Sequence, residues 1–141
     1  MTTRPLIKRI DMALHIQELC AFYNIKVQYQ SLHAETPNYF ANRQKRLIQI
    51  RPTKNTGYYV STLHEIGHIV GENQSNCPTI TQELYAWVWA RNNALVWTDT
   101  AERIMRQAMD SYGWKDYHKR DWERLVPCER LSPITHEGAT I

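Results

Sequence analysis

Ser61-Thr62-Leu63-His64-Glu65-Ile66-Gly67-His68-Ile69-Val70-Gly71 is the stretch that decides how the rest of the chain is read. Val60, Leu63, Ile66, Ile69 and Val70 recur at the spacing of one helix face, and Gly71 supplies a stop. On a helix, residues four apart lie about 40° apart around the axis and one turn along it. His64 and His68 then reach one ion from one face. Glu65 sits about 100° further round, close to the ion without being its natural ligand. Two imidazoles flanking a carboxylate in this way are the pattern of metal-assisted hydrolysis. Zinc lowers the pKa of its water towards ~7, and the carboxylate takes the proton.

A catalytic zinc commonly keeps three protein ligands and one open position, so a third ligand is needed. Two residues compete. Gln74 completes the spacing H-E-x-x-H-x-x-G-x-x-H in all but its last letter. An amide oxygen is, however, a poorer zinc ligand than imidazole or carboxylate. That reading also needs a methionine turn, whereas Met105 and Met109 both fall in a helical pattern. Glu83 lies in the first turn of the next expected helix, across a short polar loop that lets two helices fold back as a hairpin. Ala86 and Ala90 keep its face thin, and the helix dipole favours a carboxylate in the first turn. Glu83 is the preferred third ligand, with Glu72 the residual alternative.

The flanking chain supplies the scaffold. Residues 5–23 read as a helix with Leu6, Ile10, Ala13, Ile16 and Cys20 on one stripe, broken by Asn24. His15 in that helix reads as a surface or packing residue. Ile25–Gln30 alternates as a strand, 31–45 reads as a loop, and Arg46–Arg51 is a second strand ended by Pro52. If the edge of that second strand is open, it can take an extended peptide by main-chain hydrogen bonds; a covering loop is the equal alternative. After the motif, Thr79 and Gln82 fit a capping box for a helix running to about Trp97. A further helix is expected from Ala101 to Tyr112, capped near Thr98 and stopped by Gly113. A last short one spans Lys115 to Val126 and ends at Pro127. Residues 128–141 form a tail expected to fray.

With Glu83-x-x-Ala86 and Trp89-Ala90 following the histidine motif, the chain resembles the ImmA/IrrE-type metallopeptidases, a gluzincin-like group of bacteria, phages and mobile elements. The resemblance covers residues 46–90. It implies a mainly helical, zincin-like α+β domain at 1–127, with a small sheet ahead of the motif helix. It further implies His64, His68 and Glu83 as zinc ligands, Glu65 as catalytic base, and a protein or peptide substrate such as a regulatory protein or repressor. One departure has consequences. Trp87 stands where the family carries Asp or Asn, so the hydrogen bond to a ligand histidine's outer nitrogen has to come from elsewhere.

A peptidase of this kind also needs a donor for the developing oxyanion, and Tyr58, Tyr59, Tyr117 and His118 are the candidates. The rival reading is a non-catalytic metal-binding module whose Trp87, Trp89, Trp97, Trp114 and Trp122 dock a protein partner. The remaining composition bounds the answer. A 141-residue chain with 43% hydrophobic and 22% charged residues fits one globular domain. A formal charge of +3 is too mild to argue for nucleic acid, and Arg43, Lys45, Arg46, Arg51 and Lys54 read as solvated strand flanks. Three dispersed cysteines (Cys20, Cys77, Cys128) argue against a disulfide framework and read as small buried groups rather than ligands. With no signal-peptide core or membrane span in the pattern, a cytoplasmic setting is expected.

Overall fold

The apolar spacing around the histidine motif does form a helix, and it is the one against which most other elements pack. In the computed structural model, which describes residues 7–31 and 33–126, the order is α1 (Arg9–Tyr23), β1 (Lys26–Tyr29), β2 (Phe40–Asn42), β3 (Leu47–Ile50), α2 (Thr56–Val70), α3 (Thr79–Asn93), α4 (Asp99–Ser111) and α5 (Asp116–Leu125). This is the expected α+β, mainly helical arrangement, with a small sheet ahead of the motif helix. The expected tail at 128–141, with Cys128, lies outside the described residues, as do Pro5, Leu6 and Pro127.

Helix α2 starts because the Asn55 side chain accepts the Tyr58 N–H at 3.0 Å, satisfying a donor with no partner inside the helix. It stops at Gly71, whose N–H still reaches the Gly67 carbonyl at 2.8 Å while its backbone turns extended. Its apolar stripe is buried against α1, β2, β3, α3 and α4. Leu63 and Ile66 are wholly enclosed, each worth about 1.5–3 kcal/mol of burial. Tyr59, on the same buried side, ties three segments together: its hydroxyl lies 2.6 Å from His15 Nδ1 and accepts the Leu95 N–H at 2.9 Å. His15 is therefore a packing residue of α1.

The sheet differs from expectation in one strand. Phe40–Asn42, inside the expected 31–45 loop, is β2, and it pairs antiparallel with β3 while β1 pairs parallel with β3 on the other side. Three residues are too few to show an alternating pattern, so the strand owes its existence to β3 as a template. The strand before the motif helix consequently has no open edge; the outer edges of the sheet belong to β1 and β2. The turn from β2 to β3 places Arg46 at φ 50° and sends its guanidinium to the Tyr23 and Asn24 carbonyls at the end of α1. Arg51 likewise donates to Gln30 and Ala34. Two of the five strand-flank cations are thus engaged internally.

Of the helices after the motif, α3 begins and ends differently from its sequence signals. Thr79 lies inside α3, whose cap position is Pro78, and the Gln82 side chain donates to the Cys77 carbonyl instead of completing a capping box. Helix α3 ends at Asn93 rather than near Trp97, because the Leu95 N–H is taken by Tyr59. The Thr98 cap of α4 and the left-handed Gly113 after it are as expected. The indoles of Trp87, Trp97, Trp114 and Trp122 are buried, and Trp87, Trp97 and Trp122 touch in series. Their apolar surface is packed in the core, whereas Trp89, the fifth tryptophan of the docking reading, is only partly buried and lines a small surface pocket with Tyr85 and Val88. No helix among the described residues is long and apolar enough to cross a membrane.

Candidate metal centre

Helices α2 and α3 approach more closely than ordinary side chains allow. A Cβ on Gly67 would collide with the Ala86 carbonyl oxygen and lie 3.0 Å from the Ala86 Cα. Gly67 and Ala86 therefore set the spacing of the hairpin. At that spacing Glu83, three residues before Ala86, faces both imidazoles. His64 Nε2 lies 3.0 Å from Glu83 Oε1, and His68 Nε2 lies 2.8 Å from Glu83 Oε2. One ligand atom from each of the three residues falls within 4.8 Å of the others, so the triad could hold a metal ion.

The charges of the three side chains are mutually dependent. Burial works against a charged His64, but the Glu65 and Glu83 carboxylates outweigh it and lift the imidazole to about 9. Burial also opposes a charged Glu83, yet the two imidazoles hold its carboxyl down at about 2. Each of His64 and Glu83 thus favours the charged form of the other across their 3.0 Å contact, and a cation at His64 Nε2 would take the place of the proton there.

The outer nitrogens have separate partners. His64 Nδ1 lies 3.2 Å from Glu65 Oε2, and His68 Nδ1 lies 2.9 Å from Gln74 Oε1. Trp87 stacks on the His64 ring at 4.2 Å between centroids and 16° between planes. The Trp87 indole thus supports the His64 ring by stacking, and Gln74 supplies the hydrogen-bond partner for His68. Gln74 is consequently behind His68 rather than in the ligand triad. Glu72 takes part only through its backbone carbonyl, which accepts from Gln74. Cys77, in the same loop, is outside the triad.

The triad lies in an open cleft of about 670 Å³ walled by Tyr39–Ala41 and Arg43 on one side and Ile104, Ala108, Ser111 and Tyr112 on the other. Glu65 lines it beside His64. None of the four expected oxyanion donors does. Tyr58 stacks on Tyr39 outside the cleft wall, and Tyr59 is consumed by His15 and Leu95 on the buried side. Tyr117 is exposed on α5, and His118 is buried there, its Nδ1 accepting the Lys115 N–H at 2.9 Å to cap that helix. The tyrosines that do border the cleft are Tyr39 and Tyr112, neither singled out by the sequence pattern. Tyr39 is pushed up to about 12, chiefly by burial. Tyr112 is 46% exposed and raised by partial burial together with the negative charges of Glu83 and Glu65. No local signal marks Tyr112: it follows α4, far along the chain from the motif it faces.

The chain matches no protein-family model, no curated protein and no solved structure.

Proposed function

We propose that the protein is a zinc-dependent metallopeptidase of the ImmA/IrrE type, hydrolysing a peptide bond in a protein or peptide substrate. The observation that carries the reading is the convergence of two Nε2 atoms and one carboxylate in a cleft that also contains Glu65. Two nitrogens and an oxygen are a donor set suited to zinc, and a three-residue set leaves a coordination position free. When bound, the ion supplies Lewis acidity, making water acidic near neutral pH and polarising a carbonyl. Glu65 accepts the proton of the attacking water and returns one to the departing amine. Tyr112, on the opposite wall, donates to the carbonyl oxygen as it gains charge. A peptide fits the remaining wall: β2 is paired on one side only, and Phe40 and Ala41 border the cleft. A regulatory protein such as a repressor is the substrate class that the family resemblance favours.

The test pairs metal analysis with a peptide-library digest read by mass spectrometry. The wild type is expected to carry about one zinc per chain and to cut the library. Glu65→Gln is expected to keep the metal and lose the cleavage. A Glu65→Gln protein that cuts as well as wild type removes the peptidase reading, and retention of zinc with no cleavage by wild type leaves a metal-binding module in its place.

A further inference from the structure

Gln74 makes three hydrogen bonds beside the triad, and at 8% exposure it is nearly shut off from solvent. The loop brings it there through Asn73 at φ 55°, a left-handed conformation that asparagine tolerates. Its Nε2 donates to two main-chain carbonyls, Glu72 and Gln82, each at 2.9 Å. Those two acceptors decide which way the amide faces, because turning it over would set an oxygen against two oxygens. The Oε1 atom is therefore the one 2.9 Å from His68 Nδ1. An acceptor at Nδ1 requires the proton of a neutral ring to sit there. Nε2, which faces Glu83 Oε2 at 2.8 Å, is then the nitrogen whose lone pair becomes available when a cation replaces the proton it shares with the carboxylate.

We infer that Gln74 is a positioning residue that holds His68 in the tautomer and ring orientation needed to ligate a cation through Nε2. This rests on the zinc reading above, and it gives this chain's answer to the missing carboxylate at position 87. The interaction also differs in kind from that of His64, whose Nδ1 meets an acid. Gln74 orients His68 without placing a second negative charge beside the triad. The Gln82 carbonyl belongs to the residue preceding Glu83, so the same amide fastens the His68 side to the chain that carries the third ligand.

Zinc affinity by chelator competition is measured for the wild type, Gln74→Met and Gln74→Glu, with circular dichroism confirming the fold. Gln74→Met keeps the bulk and loses the acceptor, and is expected to bind zinc about 10- to 100-fold more weakly. Gln74→Glu gives up both carbonyl contacts but keeps an oxygen for Nδ1, and is expected to bind more tightly than Gln74→Met. Long-range proton–nitrogen NMR of the zinc-loaded wild type is expected to place the His68 proton on Nδ1. Equal affinity of wild type and Gln74→Met, equal weakness of the two variants, or a proton on Nε2 overturns the assignment while leaving zinc binding intact. A wild type that binds no zinc overturns the metal reading itself, and this inference with it.

Discussion

The indole of Trp87 lies flat on the imidazole of His64, with ring centroids 4.2 Å apart. The two come from different helices of the hairpin, α3 and α2, so the stack reads out both the approach of the helices and the state of the ring. A protonated imidazole against an indole face is a cation–π pair, and a cation bound at Nε2 replaces that proton. Zinc titration at neutral pH is therefore expected to change tryptophan emission. Trp87→Phe should lose most of the change while still binding the metal. A full response in that variant would assign the signal to another indole.

The stability of the metal-free protein should depend on pH in a defined window. His64 is lifted in the folded chain from 6.5 to about 9, so its contribution is complete below 6.5 and is lost as pH rises through about 9. Glu83 is held from 4.5 down to about 2, so its contribution is complete above 4.5 and is lost as pH falls through about 2. Thermal melts in chelator are expected to give the highest Tm between the two unfolded-state values, and a decline from there towards pH 9. Zinc requires deprotonated rings, so the gap between loaded and metal-free Tm should widen over the same alkaline range. A metal-free Tm that climbs steadily to pH 9 contradicts the ion-paired cluster.

Gly67→Ala should act on stability and on the site together. The added Cβ meets the Ala86 backbone, which yields only if the helices separate. Overpacking of this kind costs about 1–3 kcal/mol, readable by urea denaturation. Because Glu83 rides on α3, separation also draws it from the imidazoles, and zinc affinity should fall in the same variant. Loss of stability with unchanged affinity would show that the hairpin spacing does not control the triad.

Tyr112→Phe should separate catalysis from metal binding. Removing an oxyanion donor costs about 10²- to 10³-fold in kcat, and Tyr112 is outside the ligand triad, so its zinc affinity should match wild type. Tyr117→Phe, out on α5, serves as the control and should turn over normally. Equal rates for Tyr112→Phe and wild type would move the donor's role to Tyr39.

What could be read from the chain alone follows from how local the cause is. The histidine spacing, the caps at Asn24 and Thr98, and the thin face at Ala86 are written in neighbouring residues, and the structure bears out each of these positions. Glu83 was reachable because a short loop leaves a helix hairpin few ways to fold. By contrast β2 exists only as a partner of β3, and α3 ends early because Tyr59, 36 residues upstream, captures the Leu95 N–H. The four oxyanion candidates lie outside the cleft for the same reason. The sequence named Tyr58, Tyr59, Tyr117 and His118 without choosing, while the tyrosine facing the carboxylates, Tyr112, comes from the end of α4. Gln74 was visible by its spacing, but its role depends on two carbonyls that only the folded loop brings to it.

The contact between Gly67 and Ala86 carries an implication for how kindred sequences can be recognised. Histidines and acids recur in many proteins by coincidence, but a side-chain-free residue just ahead of His68, matched by a small one a helical turn past Glu83, answers to steric exclusion rather than to reactivity. A search that asks for H-E-x-G-H together with E-x-x-A combines two independent filters. A sequence that folds into the same hairpin without the histidines should still keep the glycine, since the backbone crossing answers to sterics alone.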